Sequence, residues 1–167
     1  ETDPYARAFR GIDTYRMQTT FRRWRMNLAT GACKEEQISE RIMEFPMVNA
    51  RHAGRPYRYA YTMTTKPGWF LFDGIVKVDL HTGVEQRYAF GENVFGSETP
   101  MAPRRNTGAE DDGYLVSFTT DMERDCSECL VLDAADITAG PIARVRLPTR
   151  ISSGTHACWT PGSSLSE

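Results

Sequence analysis

The 167-residue sequence predicts an all-β fold of the β-propeller type. Three observations lead there: runs with strand alternation dominate the chain, a glycine-ended turn recurs, and the long connections are rich in Gly, Pro, Asn and charge. The turn returns at intervals of roughly 50 residues, a period that in strand-rich sequences marks propeller blades. The chain therefore holds about three blades, whereas propellers close with ~4 to 8.

The elements follow in order. Phe21 to Leu28 alternates, and the turn Asn27-Leu28-Ala29-Thr30-Gly31 ends it. Glycine supplies the positive φ that such a hairpin needs, while Asn or Asp bonds its own backbone. Lys34 to Met43 reads as a short helix-compatible run, and Met43 to Pro56 as a long connection carrying Glu44-Phe45-Pro46. Arg58 to Thr62 and Ile75 to Leu80 alternate as strands, and Asp79-Leu80-His81-Thr82-Gly83 repeats the turn. Phe90 to Asp112 is the second long connection, with Ser97-Glu98-Thr99-Pro100 inside it. Its end, Glu110-Asp111-Asp112-Gly113, reads as a solvated turn; the alternating acidic spacing of a calcium loop is missing. Tyr114 to Phe118 and Leu130 to Asp133 are strands. A looser third turn, Asp133 to Gly140, precedes the strand-like run Ile142 to Pro148.

Net charge is -2 and pI about 6.0, so nothing in the charge balance points to a nucleic-acid binder, whose footprint is a basic face. No apolar run reaches the ~18 residues of a membrane span, and no charged-then-apolar leader opens the sequence. Four cysteines, Cys33, Cys126, Cys129 and Cys158, are too sparse for a disulfide framework and predict a reducing, cytoplasmic setting. The first residue is Glu1, so the chain is expected to begin inside a longer gene product or to have been processed.

Chemistry concentrates in Ser153-Gly154-Thr155-His156-Ala157-Cys158-Trp159. On its own, a histidine beside a tryptophan is a packed or surface residue. Glu44 and Glu98, each next to or near a proline at a strand or loop edge, read alone as solvated carboxylates. Together the three suit a metal-bound imidazole whose second ring N–H is accepted by a carboxylate, which fixes tautomer and orientation. His52 and His81 lie in apparent turns and are expected to be exposed. Cys126-Ser127-Glu128-Cys129 has half the spacing of a zinc site; the competing reading is a hairpin with two incidental thiols.

In order and at plausible distances, several blocks resemble the C-terminal part of the carotenoid cleavage oxygenase family, which includes the retinal pigment epithelial membrane protein and the lignostilbene dioxygenases. They are Arg23 to Gly31, Glu44-Phe45-Pro46 with Gly54 to Tyr61, Ser97-Glu98-Thr99-Pro100, Glu110 to Leu115, Leu130 to Ala134 and the His156 segment. The resemblance implies a seven-bladed propeller of which residues 1–167 form the C-terminal part. It implies ferrous iron, Fe(2+), held by four histidines, with His156 matching the last of them and Glu44 and Glu98 matching two of three supporting glutamates. No residue of the chain is implied as a catalyst apart from this metal site. The implied activity is cleavage of a conjugated carbon–carbon double bond by O2 into two carbonyl products. The hydrophobic substrate is a carotenoid, an apocarotenoid or a stilbene, and the resemblance leaves room for a peripheral membrane contact through which the whole protein would take it up. The other three histidines and the third glutamate are expected upstream of Glu1.

Many family members carry Phe where Thr155 stands and Gly where Ala157 stands, so packing around His156 is expected to differ. Tyr57, Tyr59, Tyr61, Phe95 and Trp159 are candidates for a hydrophobic channel, with core packing the competing role. Two other readings stay open: a non-catalytic propeller fragment or binding module, and a small zinc protein using Cys126, Cys129, His156 and Cys158.

Overall fold

Hairpin turns organise the chain. In the computed structural model, which describes residues 11, 13–152, 154 and 156–165, Asn27 Oδ1 accepts the N–H groups of Ala29 and Thr30 while Gly31 takes φ 74°. Asp79 Oδ1 does the same for His81 and Thr82, with Gly83 at φ 75°. The first turn joins β1 (Thr20–Met26) to β2 (Cys33–Met47), and the second joins β4 (Gly74–Asp79) to β5 (Glu85–Ala89). With β3 (Tyr59–Thr64) between them they form one antiparallel sheet in the order β1-β2-β3-β4-β5. The third turn is built differently: Asp136 caps a short 3-10 turn, Ile137–Ala139, and Gly140 closes it at φ 80°.

The second sheet contains β6 (Val94–Gly96), β7 (Met101–Pro103), β8 (Gly113–Asp121), β9 (Cys126–Asp133) and β10 (Pro141–Arg146), in the order β10-β9-β8-β6. β6 and β7 both lie along β8, β6 against Thr119 to Asp121 and β7 against Gly113 to Leu115. The residues between them span the gap, held by Ser97 N–H to Phe118 O and by Val116 N–H to Pro100 O. The described residues thus form two sheets. Two of the three recurring turns fall in the first, because β2 serves two partners: Cys33 to Ile42 pair with β1, and Met43 to Met47 with β3.

The helix-compatible run is corrected here: Lys34 to Met43 is the body of β2. Its Lys-Glu-Glu-Gln composition favours a helix only where nothing else decides. The Asn27–Gly31 turn folds it back on β1, and the ion pairs Arg23–Glu36 (2.7 Å) and Arg22–Glu35 fix it across the ladder.

The sheets bury one apolar core between them. Tyr61, Met63 and Ile75 come from the first sheet, Met101, Leu115, Leu130 and Leu132 from the second, with Phe90, Ala134 and Ile137 from the connections. The other face of β4 carries Val76 and Val78, which pack with Met43, Phe21, Ile38 and Leu80. β4 is therefore covered on both faces.

The acids expected in a solvated turn are corrected too. Glu110 accepts the backbone N–H groups of Arg58 and Tyr59, Asp111 pairs with Lys77 at 2.7 Å, and Asp112 with Arg104 at 2.7 Å. Lys77 is 5% exposed; its ammonium also donates to Ala135 O at 2.8 Å and lies 4.3 Å from the centre of the Tyr59 ring. The Glu110, Asp111 and Ala135 bonds join the first sheet to the second along one rim, while Arg104–Asp112 closes the loop between β7 and β8. Tyr61 adds O–H to Ala134 O at 3.0 Å. Of the other aromatic candidates, Phe95 is buried and stacks on Trp69, Tyr59 is half-buried, and Tyr57 and Trp159 are exposed. No helix among the described residues is long and apolar enough to cross a membrane.

Candidate functional site

Glu98 sits in the gap between β6 and β7, where the chain leaves the edge of β8 and returns to it. The stitching on either side buries a carboxylate that strand pairing alone would leave at an edge: Glu98 is 6% exposed, and its neighbours Ser97 and Thr99 are buried. Thr99 Oγ1 donates to Ser97 O and approaches Met63 Sδ, which holds the segment against the first sheet.

Beyond β10 the described residues form no strand, and the chain is led back across the second sheet by polar contacts. Leu147 N–H bonds Ser127 O, Ile151 N–H bonds Ser127 Oγ, and Arg150 pairs with Asp125 at 2.8 Å. Gly154 then passes over Ser97, where a Cβ would lie 3.7 Å from the Ser97 side chain. This path brings His156 to Glu98.

His156 Nδ1 lies 2.9 Å from Glu98 Oε1, and Glu98 Oε2 accepts the Ala157 N–H. A carboxylate only accepts, so a neutral imidazole in this contact carries its proton on Nδ1 and keeps the Nε2 lone pair free. The two partners differ sharply in exposure, 77% for the histidine side chain against 6% for the carboxylate, so the imidazole stands out from a buried anchor. Its remaining ring contact is edge-on with Phe45, centroids 5.6 Å apart and planes at 83°. Such a ring is a ready nitrogen donor for a divalent metal, with its orientation set from behind.

Of the sequence-predicted site residues, the structure brings His156 and Glu98 together and leaves Glu44 apart. Glu44 is a half-buried residue of β2 opposite Met63, bordering a cleft with Phe21, Met43, Pro46 and Thr62. Its main-chain oxygen accepts from Thr62 Oγ1 at 2.7 Å, and its carboxylate has no hydrogen-bond partner among the described residues. His81 is exposed in the β4–β5 turn, as expected. His52 is half-buried at the end of a short 3-10 turn, because that turn is capped by Asn49, which also reaches Glu110 O. Cys126 and Cys129 lie in β9, opposite Asp121 and Phe118, and burial pushes the Cys129 thiol up. Among the described residues no three His, Cys, Asp or Glu side chains converge on a point, so the zinc reading has no site. Glu1, Ser153 and Thr155, to which sequence expectations were attached, lie outside the described residues.

Two participants escaped sequence reasoning. The Ala157 N–H is backbone and leaves no mark in a side-chain pattern. Phe45 was visible only as the middle of Glu44-Phe45-Pro46; its left-handed backbone, φ 53°, turns it toward the site.

The family model described as retinal pigment epithelial membrane protein matches residues 2–161. The carotenoid 9,10(9',10')-cleavage dioxygenase 1 of Phaseolus vulgaris is 35% identical over 158 residues, 86% of this chain and 29% of its own. The lignostilbene-alpha,beta-dioxygenase isozyme III of Sphingomonas paucimobilis is 31% identical over 157 residues, 86% of this chain and 32% of its own. Among solved structures, cobalt-substituted Synechocystis ACO superposes with a TM-score of 0.81 at 32% identity, covering 89% of this chain and 32% of that one. The chain thus spans about three-tenths of the length of each relative.

Proposed function

We propose that this chain, which belongs to the retinal pigment epithelial membrane protein family, supplies one metal-binding imidazole and its supporting carboxylate to a non-haem iron dioxygenase. The whole enzyme would split a conjugated double bond of a carotenoid or apocarotenoid with O2 into two carbonyl products. One observation carries the reading: His156 is anchored through Nδ1 to buried Glu98 and offers Nε2 outward.

The donor set fits ferrous iron as far as it goes. Neutral imidazole suits Fe(II), and a carboxylate behind it raises ligand basicity and fixes the ring. Ferrous iron, when bound, would supply the binding and activation of dioxygen. Glu98 would hold the Nδ1 proton and aim the ring, and the Ala157 N–H would hold Glu98 in return. Glu44 would serve a further imidazole from the rest of the protein, consistent with a carboxylate that has no hydrogen-bond partner among the described residues. In this reading the two sheets are part of a seven-bladed propeller, with β1 and the start of β2 belonging to a blade that the rest of the protein completes. The sparse cysteines favour a cytoplasmic location.

A hydroxystilbene is the second substrate class, favoured by the lignostilbene relative. The test uses the whole protein that contains this chain. Purified with Fe(II), it is incubated with an apocarotenoid, a carotenoid and a lignin-type stilbene in air, and the carbonyl products are identified. The expected result is cleavage of the polyene, with His156→Ala losing most iron and nearly all turnover. Normal iron content and turnover in that variant would overturn the assignment.

A further inference from the structure

We infer that Phe45 is a positioning residue for His156: its ring sets the plane in which the imidazole presents Nε2. The inference rests on the reading of His156 as a metal ligand.

A single hydrogen bond at Nδ1 fixes one point of the imidazole and leaves the ring free to swing about the line to Glu98. That freedom matters here, because the His156 side chain is 77% exposed and, among the described residues, little else restrains it. The Phe45 contact, at 83° between planes and 5.6 Å between centroids, opposes the swing. Edge-to-face contacts between aromatic rings are directional, so this one selects an orientation in addition to filling space.

Phe45 is itself braced. Its ring meets Phe72 at 5.3 Å and 68°, and the Phe72 carbonyl accepts the Gly96 N–H at 2.9 Å through an isolated bridge. Gly96 lies two residues before Glu98. Contacts therefore run from His156 to Phe45, to Phe72, to Gly96, along the chain to Glu98 and back to His156. The circuit crosses both sheets, so ring and anchor share one frame.

The backbone supports the same reading. Phe45 holds φ 53° in the irregular stretch of β2 where the register against β3 shifts between Glu44 and Met47. Glycine takes that conformation without strain, whereas a large side chain is rare there and marks sites where the geometry itself is required. Pro46 follows, and a missing N–H is tolerated at such an irregularity. Phe45 also packs against the edge of the main core, so space filling is the role to be separated from positioning.

The experiment uses the whole protein, metal-free and then titrated with Co(II), in wild type, Phe45→Leu, Phe45→Gly, Phe45→Tyr and His156→Ala. Affinity and the visible ligand-field bands of bound Co(II) are read with the melting temperature. Phe45→Leu is expected to bind about 10-fold more weakly with shifted bands, a loss of the size seen when a supporting group is removed. Phe45→Tyr keeps wild-type affinity and bands. Phe45→Gly relieves the backbone and removes the ring, so it shows the same metal defect even if Phe45→Leu fails to fold. Wild-type affinity and bands in Phe45→Leu or Phe45→Gly, with His156→Ala defective, would overturn the positioning role alone. Unchanged Co(II) binding in His156→Ala would instead overturn the ligand reading, and this inference with it.

Discussion

Glu98 commits both carboxylate oxygens to one short stretch of chain, one to the imidazole of His156 and one to the next residue's N–H. The second bond explains how a segment outside both sheets can present a ring at a fixed place: ring and backbone are held by the same group. Glu98→Gln keeps an acceptor and loses the charge, so iron affinity in the whole protein should fall by about 10- to 100-fold, with Glu98→Ala at least as low. Titration with Fe(II) under anaerobic conditions measures it, and unchanged affinity in both variants would make Glu98 a plain loop anchor. The histidine and this glutamate stood out in the sequence through the resemblance of their segments to the family, since alone each reads as a packed or solvated residue. Their bond was not, since 58 positions separate them and only the path past Ser127 closes that distance.

At the scale of elements, turns and ladders carry different loads. The Arg58 guanidinium, with help from the His81 and Thr82 N–H groups, holds the Asp79 carboxyl well below the usual carboxylate range. A depressed folded-state pKa contributes stability above the unfolded value of ~3.9 and loses it as pH falls further. Asp79→Asn should therefore flatten the decline in stability of the whole protein below about pH 4, as denaturant midpoints across pH 3 to 7 would reveal. Asn27, the uncharged counterpart in the first turn, shows that the turn itself needs no charge.

Lys77 is the ladder residue with most to lose. Lys77→Met would strand Asp111 and Ala135 O at the rim between the sheets and cost about 3 kcal/mol, at the low end for a buried pair because Asp111 stays partly wet. Replacing Asp111 as well, by Leu, should recover part of that loss in a denaturant titration. Sequence reading erred at this scale where tertiary partners overrule composition. Lys34 to Met43 became strand under cross-strand pairing, and Glu110 to Asp112 became fastenings because the N–H groups of residues 58 and 59 and the Lys77 ammonium face them.

For the whole molecule, the alternation and the two equal turns made an all-β chain readable, while sheet membership was not: β2 pairs with two neighbours, and no periodicity announces the change at Ile42 and Met43. The arrangement of ligands predicts the behaviour of the isolated chain. Residues 1–167 expressed alone should bind no stoichiometric iron after anaerobic reconstitution and cleave neither carotenoid nor stilbene, because one anchored imidazole cannot hold Fe(II) against water. β1 and β5, the outermost strands of the first sheet, should also promote association. Iron analysis and light scattering on the same sample would check both, and a monomer with one iron per chain would contradict the proposal.

The two excursions from the edge of β8 have opposite tolerance for length. Residues 97–100 are tied at both ends to β8, so an added residue would slide Glu98 off its histidine. Residues 104–112 are closed at the base by Arg104 and Asp112, leaving an exposed tip around Asn106 that takes no part in either sheet. A short peptide tag spliced in after Asn106 should leave metal affinity intact, whereas the same tag after Glu98 should abolish it. Nature's own edits to gene length would be expected to collect at that tip, which makes it the place to attach a dye or an affinity handle.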